Sequence, residues 1–210
     1  MIRTITIERE YGSGGADVAR KLAERLGWKL WDQALTNEIA RLMDCPSRTV
    51  EELEERKDSL RYRLFKAFMK GSFEGTLNAP NLKMVDADCI KDLTRRLVTD
   101  ISREGNAVIV GRGAAYHLHD CPDAFHVFVY APFEEKVRRL RAGGKSESDA
   151  VDQAESVDRD RAAYIKQHFG LEWPDRHYFH IMVNTTLGDE RVVEAILHSV
   201  ASLLPQPAGV

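Results

Sequence analysis

Segments 106–110 (NAVIV) and 124–131 (AFHVFVYA) are apolar almost without a break. A strand with one wet face alternates apolar and polar side chains, so a strand apolar throughout has to be covered on both faces. Between and after these runs the chain carries amphipathic, charged segments that read as helices: EEKVRRLRAGG, DAVDQAESVDRDRAAYIKQHFG and DERVVEAILHSVASLL. YFHIMVNTT reads as one more strand. Continuous apolar strands alternating with helices predict an α/β fold of three layers, α/β/α, around a central parallel sheet. A chain of 210 residues, 43% hydrophobic and 30% charged, has the composition of one globular domain, here residues 1–210.

The chain opens with a β-branched run, IRTITIE, then REYGSGG, then ADVARKLAERLG. Val18, Leu22 and Leu26 recur at four-residue spacing, with Ala19 and Ala23 alongside, and Gly27 stands where a helix would be capped. Strand, glycine turn and helix together form the geometry that holds phosphate. Glycines let the backbone wrap an anion, and the helix start offers free N–H groups and a partial positive charge. The standard phosphate loop is GxxxxGK[ST]. In the same register stand Arg9, Glu10, Tyr11, Gly12, Ser13, Gly14, Gly15 and Ala16, followed by Asp17. The loop therefore lacks the first glycine, the lysine and the hydroxyl. Arg9 is the nearest replacement cation, and Asp17 or Glu10 the nearest group for a metal. A plain tight connection between strand and helix is the competing reading of this turn alone.

WKLWD suggests a second short strand ending at Asp32. From about 33 to 103 the pattern turns helical, and a compact insertion is expected there because a structureless loop of that length is uncommon. On it, Leu53, Leu60 and Leu64 with Tyr62, Phe65 and Phe68 offer a face for a second copy, so a homodimer stays open. Farther on, Arg138, Arg139 and Arg141 precede Gly143 and Gly144, two glycines with the freedom of a hinge, and VDRDRAAY carries Arg159 and Arg161. Such arginines either face phosphate or pair with Asp158 and Asp160 on a solvated helix.

With these residues in view, ITIEREYGSGGADVARKLAERLGWKLWD resembles the opening of cytidylate kinases, and more closely the cytidylate kinase-like family, which carries a REYGSGG type of loop. VIVGRGAAYHL, FHVFVYAPFEEKVRRL, VDRDRAAYIKQHFG and YFHIMVNTT continue the resemblance in order along most of the chain. It implies a nucleoside-monophosphate-kinase-like domain of the P-loop kinase type. A helical acceptor-binding insertion would span about 33–103 and a mobile, arginine-bearing lid about 138–165. The implied activity is transfer of the γ-phosphoryl of ATP, with Mg2+, to CMP or dCMP or another small acceptor. Arg9, Tyr11, Gly12, Ser13, Gly14, Gly15, Ala16 and Asp17 would hold the nucleotide phosphates, Asp17 also the metal, and Asp32 and Arg112 the acceptor. Arg9, Arg138, Arg159 and Arg161 would neutralise charge during transfer. In-line phosphoryl transfer asks a protein chiefly for positioning and cations, which arginines supply. A nucleotide-binding protein that has lost catalysis, or a structural oligomer on the same fold, are the other readings.

Asp32 also suits a helix cap, and Asn184-Thr185-Thr186 reads first as a strand end and cap. Gly111-Arg112-Gly113 directly follows a strand, where open parallel sheets bind ligands. A net charge of −3 offers no global field for nucleic acid. The three cysteines, Cys45, Cys89 and Cys121, fit reduced thiols. MIRTITIERE has no apolar signal segment and no stretch suits a membrane span, so a cytoplasmic protein binding small nucleotides is expected. The seven histidines show no zinc spacing, and Ser13 lies in no GxSxG elbow.

Overall fold

The computed structural model describes residues 1–32, Leu35 and 87–203, with backbone alone at 87–90. Apart from Leu35, the part of the expected insertion before residue 87, and with it the face of Leu53, Leu60, Tyr62, Leu64, Phe65 and Phe68, lies outside them. The described elements run β1 (Thr4–Arg9), α1 (Gly15–Leu26), β2 (Lys29–Trp31), α2 (Ala87–Glu104), β3 (Ala107–Val110), α3 (Ala114–His117) and β4 (Ala124–Tyr130). They continue with α4 (Phe133–Ala142), α5 (Glu147–Phe169), β5 (Ile181–Asn184) and α6 (Asp189–Ser202).

The five strands form one parallel sheet in the order β2-β3-β1-β4-β5. β1 lies at its centre, with Thr4 to Ile7 registered against Ala107 to Val110 and Thr4 to Arg9 against Ala124 to Val129. Period-two alternation sends Ile5 and Ile7 to one face, where Val18, Leu22, Val192 and Ile196 of α1 and α6 bury them. Thr4 and Thr6 point to the opposite face. Thr4 shares a hydrogen bond with Ser102 of α2, and Thr6 Oγ1 meets His126 Nδ1 at 2.8 Å. That second face is closed by Val98, Ile101, Ala114, Tyr164 and Ile165 of α2, α3 and α5. Each fully buried Leu, Ile or Val contributes about 1.5–3 kcal/mol, so both layers are needed to keep the unbroken apolar strands dry. The expected α/β architecture of three layers is the observed one.

Two local readings differ from the sequence expectation. YFHIMVNTT is not all strand, because Arg176–Tyr178 forms a 3-10 turn capped by Asp175 before β5 begins at Ile181. A one-turn helix, α3, follows Gly113 where the sequence shows only a glycine turn.

The third cluster is small and sits beside the glycine turn. Tyr11 packs with Leu140 of α4 and Ala150, Ala154 and Val157 of α5. Ser146 accepts from the Asp149 amide and starts α5. The α4–α5 pair thereby leans on residues 10–13 and positions its charged side chains there.

Candidate functional site

The order β2-β3-β1-β4-β5 places a topological switch between β1 and β3, and open parallel sheets bind ligands beyond the strand ends at such a switch. The glycine turn leaves β1 at this place. Gly12 and Gly14 adopt left-handed φ of 74° and 80°, and Ser13 Oγ donates to the Glu10 carbonyl at 2.8 Å. α1 then starts at Gly15 with no side-chain cap. Among the described residues the amides of Gly14, Gly15, Ala16 and Asp17 have no hydrogen-bond partner. Four such donors, with the positive end of the helix dipole, suit a phosphate group.

Arg9 explains why the loop departs from the standard pattern. A Cβ at Gly15 would lie 2.7 Å from Arg9 Cβ, 2.8 Å from its Cγ and 2.9 Å from Val129 Cγ2. No side chain fits at 15 while Arg9 is in place. Arg9 Nη1 reaches across β3 to within 2.0 Å of where a Cβ on Gly111 would be. The cation and the glycine have exchanged places: the positive group rises from the strand end, 5% exposed, and the helix start is left bare.

The turn is held from α4 and α5. Asp158 Oδ1 accepts from the Tyr11 amide at 2.7 Å and from Arg161 Nη1 at 3.0 Å, while its Oδ2 accepts from Lys136 Nζ at 3.0 Å. Lys136 also pairs with Glu10 at 3.3 Å, and Arg161 Nη1 donates to the Arg9 carbonyl at 2.7 Å. On the other flank Arg139 donates to the Ser13 carbonyl, to Thr185 Oγ1 at 2.9 Å and to the Thr185 carbonyl at 3.0 Å. Thr185 Oγ1 in turn donates to the Ser13 carbonyl at 2.6 Å.

Toward β3 lies a buried charged cluster. Arg112 has a left-handed φ of 61°, unusual for a residue with a side chain, and its guanidinium is buried. Burial first, and Arg9 second, push that guanidinium down to about 9, while Asp32 and Tyr164 pull it back up. It still carries its charge at neutral pH. Glu8 is only 5% exposed, and its Oε1 has no hydrogen-bond partner. Burial raises its carboxyl above the ordinary value, against the opposing pull of Arg9, Arg161, the Gly113 amide and Arg112.

The structure brings together Arg9, the turn 11–16, Asp32, Arg112 and Arg161. Arg138 and Arg159 stand elsewhere, 68% and 75% exposed, beside Glu135 and Glu155. Asp17 is 61% exposed and pairs with Arg20 at 3.3 Å. Among the described residues no group of three or more His, Cys, Asp or Glu is arranged to hold a metal, and no helix is long and apolar enough to cross a membrane. Asn184 caps the turn after β5, its Oδ1 accepting from the Thr186 amide at 3.0 Å. Sequence reasoning did not single out Glu8 or Lys136 as site residues, it took Arg139 only as part of an arginine run, and it read Thr185 first as part of a strand end and cap. The signal for Glu8 was present, since it continues the polar alternation Thr4, Thr6, Glu8 along a buried strand. Nothing local marks Arg139 from Arg138; only the helix phase does.

The model of the cytidylate kinase-like family matches residues 4–187. No curated protein matches the chain. Among solved structures, an uncharacterized protein from Eubacterium ventriosum ATCC 27560 is 20% identical with a TM-score of 0.66, covering 96% of this chain and 99% of that one. Shikimate kinase from Acinetobacter baumannii, in complex with shikimate, is 16% identical with a TM-score of 0.53 over 98% and 97% of the two chains. A gluconokinase from Sinorhizobium meliloti 1021 is 15% identical with a TM-score of 0.51 over 96% and 93%. The shared fold is that of the P-loop kinases.

Proposed function

Because the chain belongs to the cytidylate kinase-like family, we propose that it is a phosphotransferase that moves the γ-phosphoryl of ATP to a small acceptor, CMP or dCMP first. The observation that carries this reading is the exchange of Arg9 and Gly15. It leaves four unpartnered amides at a helix start and sets a buried cation beside them. A triphosphate fits that cradle, with the amides and Arg9 on its oxygens. Arg161 borders the same turn and would offset charge during transfer, with Arg138 and Arg159 as the outer candidates. Arg112 and Asp32 would orient the acceptor, since Arg112 presents a planar fork suited to phosphate.

Magnesium, bound with ATP, would neutralise charge that develops on transfer. The usual hydroxyl ligand is Ala16 here, so Asp17 is the residue we assign to the metal, acting through water. Its present pairing with Arg20 is an exposed one of little strength. The missing lysine and hydroxyl specifically favour a second reading, a nucleotide-binding protein without turnover.

A coupled assay of ATP with a panel of nucleoside monophosphates, run beside thermal shifts, separates the two. Turnover with CMP or dCMP supports the kinase. A rise in melting temperature with ATP but no turnover supports the second reading. Neither turnover nor shift sinks both.

A further inference from the structure

We infer that Glu8 is a specificity-determining residue, whose free carboxylate oxygen takes a hydroxyl or amino hydrogen of the acceptor next to Arg112. The inference rests on the phosphotransferase reading and names what that site selects. Buried polar atoms in folded proteins nearly always find a partner, and an orphaned one signals strain or function. Glu8 Oε1 is such an atom, on a side chain 5% exposed at the carboxyl end of the central strand. Its position is where a ligand is expected, between the turn that follows β1 and the turn that follows β3.

The groups facing Glu8 narrow the ligand's chemistry. They are Arg9 on β1, Arg112 and the Gly113 amide after β3, and Arg161 on α5. Tyr116 of α3 and Tyr164 of α5 also feel its charge. Arg9, Arg161, the Gly113 amide and Arg112 all favour the carboxylate form of Glu8 against burial, and in that form the side chain only accepts hydrogen bonds, so the group that completes it is a donor. A phosphate oxygen there would meet like charge. The phosphates therefore belong to the amides and the guanidinium groups, and the uncharged polar part of the acceptor belongs to Glu8. A site built around such a buried acceptor rejects analogues that lack the donor far more strongly than an apolar pocket does. The inference does not turn on whether the donor is a ribose 2′-hydroxyl or a base amino group, and the acceptor panel separates these two.

The experiment measures KM and kcat for wild type, Glu8→Gln and Glu8→Asp with CMP, dCMP and UMP, alongside melting temperature. Glu8→Gln keeps the shape and removes the charge. Glu8→Asp keeps the charge beside Arg112 and withdraws the oxygen, so it covers the case in which the first variant fails to fold. Each variant should raise the acceptor KM about 10-fold or more, with the KM for ATP within about 2-fold. If the donor is the 2′-hydroxyl, wild type prefers CMP to dCMP and the variants lose that preference; if it is the amino group, the same holds for CMP over UMP. Survival of both preferences in a folded variant, or a parallel rise in the KM for ATP, overturns the inference while the kinase reading stands. A wild type that turns over none of the three overturns both.

Discussion

Around the glycine turn, Lys136 bridges Glu10 and Asp158, and Arg139 and Arg161 each hold a carboxylate and a backbone carbonyl. Under the 111–113 turn on the neighbouring strand, Arg9, Arg112 and Arg161 press like charges on one another around Glu8 and Asp32. The first region is a set of satisfied pairs and stays in place without a ligand. The second keeps a raised acid, a depressed guanidinium and an orphaned oxygen, which folding alone would not select. The difference teaches that the glycine turn, proposed for the phosphate donor, is preorganised by pairing, while the 111–113 turn, proposed for the acceptor, stores unfavourable electrostatics around Glu8 and Arg112.

The largest test breaks the link between the two regions. Arg9→Ala should weaken ATP use by roughly 10²–10³-fold, the scale of losing one preorganised donor to the reacting phosphates. Gly15→Lys alone should fail, because its Cβ would sit 2.7 Å from Arg9 Cβ. The paired exchange Arg9→Gly with Gly15→Lys should recover more activity than either single variant. Steady-state kinetics on the three proteins would show an additive double mutant if the exchange idea is wrong.

Next in size is the hub that holds the glycine turn. Asp158→Ala leaves the Tyr11 amide without its acceptor and leaves Lys136, almost wholly buried, with Glu10 alone. Removing one partner of a buried pair costs about 3–5 kcal/mol, which a thermal melt would read as a fall of roughly 10 °C. Asp158→Asn should lose less, since its amide oxygen can still accept from Tyr11. Equal losses in the two variants would mean that the backbone contact contributes nothing.

A pH scan compares the buried layer with the site. Burial, then His180, depresses His126 to about 4, and burial, then Lys91, depresses His117 to about 4. Both are neutral in the folded chain near pH 7, while the unfolded chain takes up protons near 6.5. The unfolded state binds more protons as pH falls, so stability drops between about pH 6.5 and 4, by up to about 2 kcal/mol per histidine at pH 5. Glu8, raised in the fold, acts in the opposite direction below its folded value. A melting temperature flat from pH 7 to 5 would contradict the burial of these imidazoles.

The fold was legible because its signals are local. Unbroken apolar strands and the helix phase of Val18, Leu22 and Leu26 both report burial directly. The turn was legible as a place, but its logic was not. That Gly15 is needed because Arg9 crosses it is a contact between a strand end and a helix start, and no spacing rule encodes it. The arginines of α4 show the limit most clearly. Arg138 and Arg139 are adjacent, yet one is 68% exposed and the other grips Ser13 and Thr185, because successive residues on a helix point about 100° apart.

The smallest expected effect concerns that grip. Thr185→Val removes the hydroxyl that donates to the Ser13 carbonyl at 2.6 Å and accepts from Arg139 at 2.9 Å, at nearly constant volume. The Ser13 carbonyl keeps Arg139, so the loss should be about 1 kcal/mol, that of one ordinary net hydrogen bond. Thr185 joins the glycine turn to Arg139 and to the Tyr130 carbonyl at the end of β4, and the Ser13 carbonyl it holds precedes the orphaned amides of α1. A loosened turn should therefore raise the KM for ATP a few-fold and leave the acceptor KM unchanged, and Thr185→Ser, which restores the hydroxyl, should return it. If the acceptor KM rose equally, the two regions would be one mechanical unit, and the contrast between a paired glycine turn and a strained 111–113 turn would lose its kinetic meaning.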